Sequence, residues 1–391
     1  MPDQFVESSS QSWFSRIGGA IVGVIVGIIL LPLSVTLHFW NEHRAVVSEK
    51  SLKEGAAAVI SVPADSISPG NDRKLIHLTG DVTAGEPIHD GLFNVGAPAL
   101  RLVRHVEVYQ WKEDKTEETH KKLGGGEEHV TKYNYTKTWA DKPIDSTTFK
   151  HPEDHTNPAS FPVPTATVLS SKATLGAFKI PQNLIGKMQG GEPLSVTGDA
   201  LTPLPPDLKS KAKIAGDGVY LGSNPEGPIV GDERVSFQVL NPGTFSFLAQ
   251  QSGDTLAPYL THEGGEIERV ESGAMGADVM FQHAQNEAKI LTWVLRVVGF
   301  VMMFVGFALI FNPLHVLADV VPFVGGIVGF GTGLLAALLG FAGSLVVIAL
   351  AWLAARPLLG IVLLVIALAA LIHSIARIRH HHQLAMAGKP A

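Results

Sequence analysis

The sequence predicts an α+β membrane protein: four transmembrane helices, with a large, mainly β extramembrane domain between the first and the second. Three observations carry this expectation. The chain has 391 residues, of which 46% are hydrophobic and only 17% charged, too apolar a balance for an ordinary soluble protein of two or three domains. The apolar excess is concentrated between Ile17 and Trp40 and again from Ile290 to about Ile375. The stretch between them has ordinary soluble composition and is long enough to bury its own core.

Taken in order, residues 1–16 read as an N-terminal tail. The first span, 17–40 (IGGAIVGVIVGIILLPLSVTLHFW), has no ionised side chain and is longer than the h-region of a signal peptide. No A-x-A cleavage site follows it, so it reads as an uncleaved anchor with Trp13 and Trp40 at its two interfaces. The second span, 290–311, carries Arg296 near one end, where the long stem can reach the headgroups beside Trp293. Phe323 to Arg356 would make about 50 Å of helix at 1.5 Å per residue, too long for one upright span. The third span is therefore placed at 334–354, and 312–333 is assigned an interfacial or re-entrant role. Asn312 can cap this segment, and Pro313 suits the first helical turn. Leu314, Leu317, Val320 and Val321 would line one face until Pro322 interrupts. A fourth span follows at 357–376, and 377–391 is a basic, His-rich tail.

Four spans put both termini on one side. Lys and Arg near the membrane are nearly balanced between the two sides, with a lean towards cytoplasmic termini and a periplasmic or lumenal domain. The spans lack Asp and Glu, which removes the usual coupling groups of a transporter. They do carry glycines at four-residue spacing: Gly19, Gly23 and Gly27 in the first, and Gly325, Gly329 and Gly333 beside the third. Such ridges let helix backbones approach closely, within one chain or between chains. A homo-oligomer is the expectation drawn from them.

The domain, 41–287, reads mainly as short strands bounded by Gly, Pro, Asn and Asp, with possible sub-lobes 41–165 and 172–287. AAAVISV, LIHLTGDV, RLVRHVEVYQW, HVTKYNYTKTW, ERVSFQVL and TFSFLAQ are the candidates. Asn-Pro-Gly at 241–243 is expected to join the last two as a hairpin, with Val235, Phe237 and Val239 facing Phe245 and Phe247. In the stretch from Leu100, Leu102, Val106 and Val108 point one way, and Val103, His105, Glu107, Tyr109 and Trp111 the other. Tyr133, Tyr135 and Trp139 repeat that arrangement across the charged loop KEDKTEETHKKLGGGEE. The aromatic face of this hairpin either packs inside the domain or forms a partner surface.

The stretches RLVRHVEVYQW, YNYTKTW followed by HTNPASF, NEHRAV with SLKEGAAAVISV, VGDERVSF, and NPLHVLADVVPFV through AARPLLG occur in the same order as in a known family. Over about Asn41 to Ile361 the chain resembles the transmembrane protein 43 family, whose animal member is also called LUMA. The resemblance implies four membrane spans, a lumenal domain between the first two and self-association. In animals it implies the endoplasmic reticulum and inner nuclear membrane, with lamin- and emerin-type partners. It brings no catalytic residues. The style of this chain suggests a bacterial member, for which the inner membrane replaces those compartments and such partners do not apply.

A formal net charge of -6 leaves no phosphate-neutralising surface, so nucleic acid is not an expected partner. The absence of cysteine removes disulfides and thiolate metal sites. Nucleotide-binding glycine motifs, H-E-x-x-H and G-x-S-x-G in their required settings are missing, and no serine in a span has a lysine to activate it. His105, Glu107, His151 and His155 are the weak candidates for metal ligands, but His151 precedes a proline and histidines beside carboxylates are commonly surface hydrogen-bonding groups. No cofactor is expected. The reading is a non-enzymatic integral membrane scaffold that touches lipid, itself and other membrane proteins. The alternative is a membrane-associated enzyme or accessory factor acting on lipid or peptide, which would need His105, Glu107, Asp154 and His155 to converge.

Overall fold

The computed structural model describes residues 3–355. The fourth expected span and the basic tail, with His380 to His382, lie outside the described residues. Contacts divide the chain into two compact units. Residues up to Gln11, Lys50–Lys121 and Glu127–Gln285 form a β unit; Ser12–Glu49, Lys122–Gly126 and the residues from Asn286 onward form a helical unit.

Strands of four or more residues are β1 (Asp3–Gln11), β2 (Leu75–Thr83), β3 (Arg101–Lys121), β4 (Glu127–Ala140), β5 (Ala166–Leu169), β6 (Ala212–Ala215), β7 (Gly218–Leu221), β8 (Glu233–Leu240), β9 (Gly243–Ser252) and β10 (Arg269–Ser272). An eight-stranded sheet runs β1-β4-β3-β8-β7-β6, with β5 on β3 and the short strand Glu192–Leu194 on β8. The second sheet is built on β2 and β9, paired from Leu75↔Gln250 to Val82↔Gly243. Its pairings close on themselves: β9 pairs Thr255–Ala257, that strand pairs Phe178–Lys179, which pairs Thr174–Leu175, which returns to β2. Closure removes sheet edges that would otherwise need protection.

Each sheet has its own core. Leu102, Val106, Val219, Val235, Phe237 and Val239 belong to the first; Ile76, Leu78, Leu175, Phe178, Phe245 and Phe247 belong to the second. This corrects the expected β8–β9 hairpin. Asn241 and Pro242 instead turn the chain from one sheet to the other, and Phe245 and Phe247 never face Val235 and Phe237. Proline cannot donate to a ladder, and here it marks a corner rather than a two-residue turn. The expected sub-lobes 41–165 and 172–287 are likewise not sequential, because β2 pairs β9 and β3 pairs β8 across that boundary.

The charged stretch after Trp111 is strand, not loop. β3 and β4 stay in register from Val108↔Ala140 to Lys121↔Glu127, and only Lys122–Gly126 turns, with Gly124 and Gly125 at positive φ. Cross-strand pairs such as Lys132–Glu118 at 2.8 Å replace a hydrophobic face along its outer part. The expected N-terminal tail is also ordered. β1 lies antiparallel on β4, from Asp3↔Tyr135 to Gln11↔Glu127. Asp3–Gln11 is therefore an edge strand of the eight-stranded sheet rather than a separate tail.

The helical unit contains helices α1 (Trp13–Ala58), α2 (Ala277–Ala318) and α3 (Pro322–Ala355), whose ends at 50–58 and 277–285 belong to the β unit. All three are long and apolar enough to cross a membrane. α1 absorbs NEHR and most of the alanine run read as a strand, leaving only Ile60–Ser61 extended. The segment 312–333 is not a separate element: Asn312–Ala318 continues α2, Asp319–Val321 turns, and α3 then runs through 34 residues without a break. Pro313 is tolerated inside α2, as prolines are in apolar helices whose neighbours re-satisfy the backbone.

Candidate functional site: a polar clamp between α1 and α2, and the aromatic face of the β unit

The helical unit holds α1 against α2 at three levels. At one end, Arg296 grips Glu42 with two parallel hydrogen bonds of 2.7 and 2.8 Å, and its guanidinium lies over the Trp293 ring at 4.8 Å. Around this pair, Asn41 Nδ2 donates to the Thr292 carbonyl at 3.0 Å and Arg44 donates to the Thr292 hydroxyl at 3.0 Å. One turn further into the apolar segment, Ser34 donates to the Gly299 carbonyl at 2.8 Å. The His38 ring fills the space left by the missing side chain of Gly299, where a Cβ would come within 2.5 Å of the ring.

In the middle, Gly27 and Gly306 cross. A Cβ on Gly27 would lie 2.5 Å from the Gly306 carbonyl oxygen. At the other end, Arg16 binds Asp319 at 2.5 Å and the Gly125 carbonyl at 2.6 Å, while Trp13 donates to the Val316 carbonyl at 2.9 Å. Arg16, Glu42 and Asp319 are all buried. Leaving one member of such a pair without its partner costs about 3–5 kcal/mol. The clamp therefore fixes the register of the two helices.

The sequence itself contains part of this site. Ser34, His38 and Glu42 recur every four residues, which is one helix face, and Arg296 sits inside an otherwise apolar span. Arg16 and Asp319 carry no such signal, because each looks like an ordinary charge at a membrane edge. Of the glycine ridges, Gly23 and Gly27 meet α2, Gly325 and Gly329 meet Asp319 and His315 of the same chain, and Gly19 and Gly333 have nothing within 4 Å.

In the β unit the alternation along β3 holds: Leu100, Leu102, Val106 and Val108 are buried. The same face hides Arg104, which bonds both Asp90 oxygens at 2.6–2.7 Å and the Pro164 carbonyl at 3.0 Å. On the other face, Glu107 is opposite Arg234 and accepts its Nε and Nη2 at 2.5 and 2.9 Å. Arg234 in turn covers Trp139 at 4.8 Å, and Tyr109 packs on that indole at 5.2 Å. Glu107, Arg234 and Trp139, with Tyr220 and Asp217, line a cavity of about 460 Å³. Tyr220 donates to the buried Asp232, and its hydroxyl is pushed well above the tyrosine range by burial and by that carboxylate.

The five aromatics read as one partner surface divide into two groups. Trp139 lines the cavity with Tyr109 packed against it, whereas Tyr133 and Tyr135 are buried. Tyr135 donates to Glu113, and burial followed by that hydrogen bond raises its pKa to about 12. Trp111 lies edge-on to His155 at 4.7 Å, with the Lys137 ammonium over its ring at 4.4 Å. The metal candidates do not converge. Glu107 is held by Arg234, His155 bonds the His151 carbonyl at 2.7 Å, His151 stacks on Phe5 at 4.0 Å, and no metal-binding group of His, Asp and Glu occurs among the described residues.

The family model described as Transmembrane protein 43 matches residues 108–357. The chain belongs to the transmembrane protein 43 family. It is 32% identical to rat Transmembrane protein 43 over 96% of this chain and 94% of that protein. The mouse protein is 32% identical over 90% of each chain, and the Drosophila melanogaster homolog 29% identical over 87% of this chain and 90% of its own. No solved structure matches it. Membership in this transmembrane family, together with the three long apolar helices, makes the chain an integral membrane protein.

Proposed function

We propose that this family member is a non-enzymatic integral membrane scaffold that self-associates and organises other membrane or envelope proteins around its β unit. The α1–α2 clamp is the observation that carries the reading. Its charged groups are spent on one another, Glu42 on Arg296 and Arg16 on Asp319, as suits a rigid support rather than a site that exchanges ligands. The cavity wall in the β unit follows the same pattern, since Glu107 and Arg234 pair with each other. Gly19, Gly333 and the exposed apolar side chains of α3 leave lateral surfaces on which a second helix can pack.

The mass of the detergent-solubilised particle tests the proposal. The expected result is an oligomer that persists on dilution, and Gly19→Leu or Gly333→Leu should split it. A strict monomer at all concentrations removes the reading. Gly329 is unsuitable for this test because a larger residue there would strike His315 of its own chain.

A further inference from the structure

The eight-stranded sheet ends in two open edges of opposite charge. β1 is one outer strand and β6 the other. β1 carries Asp3 and Glu7 and no cation, and it is exposed at every residue up to Ser10. β6 and the residue before it carry Lys213 and Lys211, both exposed. Glu7 accepts from Lys150 at 2.8 Å and Lys213 donates to the Ser223 carbonyl, but a carboxylate and an ammonium each have further hydrogen bonds to give.

The free backbone groups of the two edges match. Gly222 donates to the Lys211 carbonyl, so the odd-numbered residues of β6 bond β7 and Ala212 and Ile214 turn their N–H and C=O outward. Lys122 donates to the Gly126 carbonyl, which assigns the even-numbered residues of β4 to β3 and its odd-numbered ones to β1. The outward groups of β1 are therefore those of Gln4, Val6, Ser8 and Ser10. Antiparallel pairing of Ile214 with Val6 and of Ala212 with Ser8 joins outward groups to outward groups. In that one register Lys213 falls opposite Glu7, and the exposed side chains of Ile214 (39%) and Val6 (61%) cover each other. Lys213 and Glu7 also lie on the same face of their own sheet, so the aliphatic faces of the joined sheets stay on one side.

We propose that copies of this chain join head to tail through these edges, β6 of one copy adding to β1 of the next. The contact is heterologous, so it builds a ring or an open row rather than a closed pair.

Charge selects this pairing over the others. Two β1 edges would crowd carboxylates and two β6 edges would crowd ammonium groups, whereas β6 on β1 brings opposite charges together. Lysine on an edge strand ordinarily guards against pairing; here it guards against the wrong edge. A four-residue ladder is too small to hold two copies by itself. The inference therefore rests on the scaffold reading, in which membrane helices hold the copies close enough for the edges to meet.

The test places Val6→Cys and Ile214→Cys in one full-length chain, which has no other cysteine. Within a copy the two edges are separated by five strand spacings, about 24 Å at about 4.8 Å each, too far for a disulfide. Between copies the paired Cα atoms would be about 5.5 Å apart, which permits one. Mild oxidation in membranes is expected to give a ladder of dimers, trimers and larger species, and neither single variant should give a cross-linked product. Lys213→Glu in the doubly substituted chain should lower the ladder roughly fivefold, and Glu7→Lys added to it should restore the yield. A dimer from either single variant, a ladder indifferent to Lys213→Glu, or no ladder from a particle whose mass is that of an oligomer overturns the inference and leaves the scaffold reading standing. A strict monomer removes both.

Discussion

At the scale of single residues, the chain places ionisable groups where only tertiary partners make them tolerable. Arg104 and Asp90 satisfy one another, but Glu233 does not share that arrangement. Its Oε2 is buried without a partner and its Oε1 accepts only a long bond from the Val163 amide, at 3.4 Å. Burial raises its pKa from 4.5 to about 7. The folded state therefore holds a proton that the unfolded state releases. The stability this contributes is fully present below about pH 4.5 and is lost as pH rises through about 7, a change on the order of 3 kcal/mol. Glu233→Gln should raise the melting temperature at pH 8 and flatten the dependence of melting temperature on pH between 5 and 8. An unchanged slope would show that Glu233 is not the group responsible.

The clamp predicts a second residue-level result. Arg296→Met should destabilise the helical unit by about 3–5 kcal/mol because it strands Glu42, while the double substitution with Glu42→Leu should recover most of the loss. Thermal unfolding of the four chains in detergent measures the coupling. Additive losses would mean that the two side chains do not act as a pair.

At the scale of elements, alternation and apolar length were good guides. The residues on the two faces of β3, the strand at Leu75 and the apolar runs of α1 and α2 were legible, because period and hydrophobicity are local properties, whereas α3 was read as two pieces divided at residue 334 and is one helix. The extent of β3 was not. Its outer half has no apolar face, so its strand character comes from the ladder to β4 and from cross-strand charge pairs that no one-strand pattern reveals. α1 was read short for a related reason: NEHRAVVSEKSLKEG is polar, and burial of Val46 and Ser51 against other parts of the chain is what its helical face supplies. The candidate site was legible in part. The four-residue recurrence of Ser34, His38 and Glu42 is present in the sequence, but the pairing of Glu42 with Arg296 spans a separation of 254 residues.

At the scale of the whole molecule, the pairing of β1 with β4 predicts a labelling pattern. The natural chain contains no cysteine, so single reporters are clean. Ser9→Cys on β1 and Thr116→Cys on β3 should respond alike to a membrane-impermeant maleimide in sealed vesicles, both labelled or both protected. Labelling of one alone would break the register on which β1 is placed. This measurement bears on topology, whereas particle mass bears on self-association, so either can fail without the other.

By itself the sequence determined the class of this protein: apolar runs long enough for a bilayer, a polar middle rich in alternating strands, and motifs that assign it to one family. These follow from composition and short-range period, which a chain carries wherever it folds. The tertiary structure decided which strands share a sheet, that the N-terminal residues form an edge strand, and which charges meet. Those outcomes depend on pairings between distant segments, whose geometry is set by packing and hydrogen bonding rather than by any local preference.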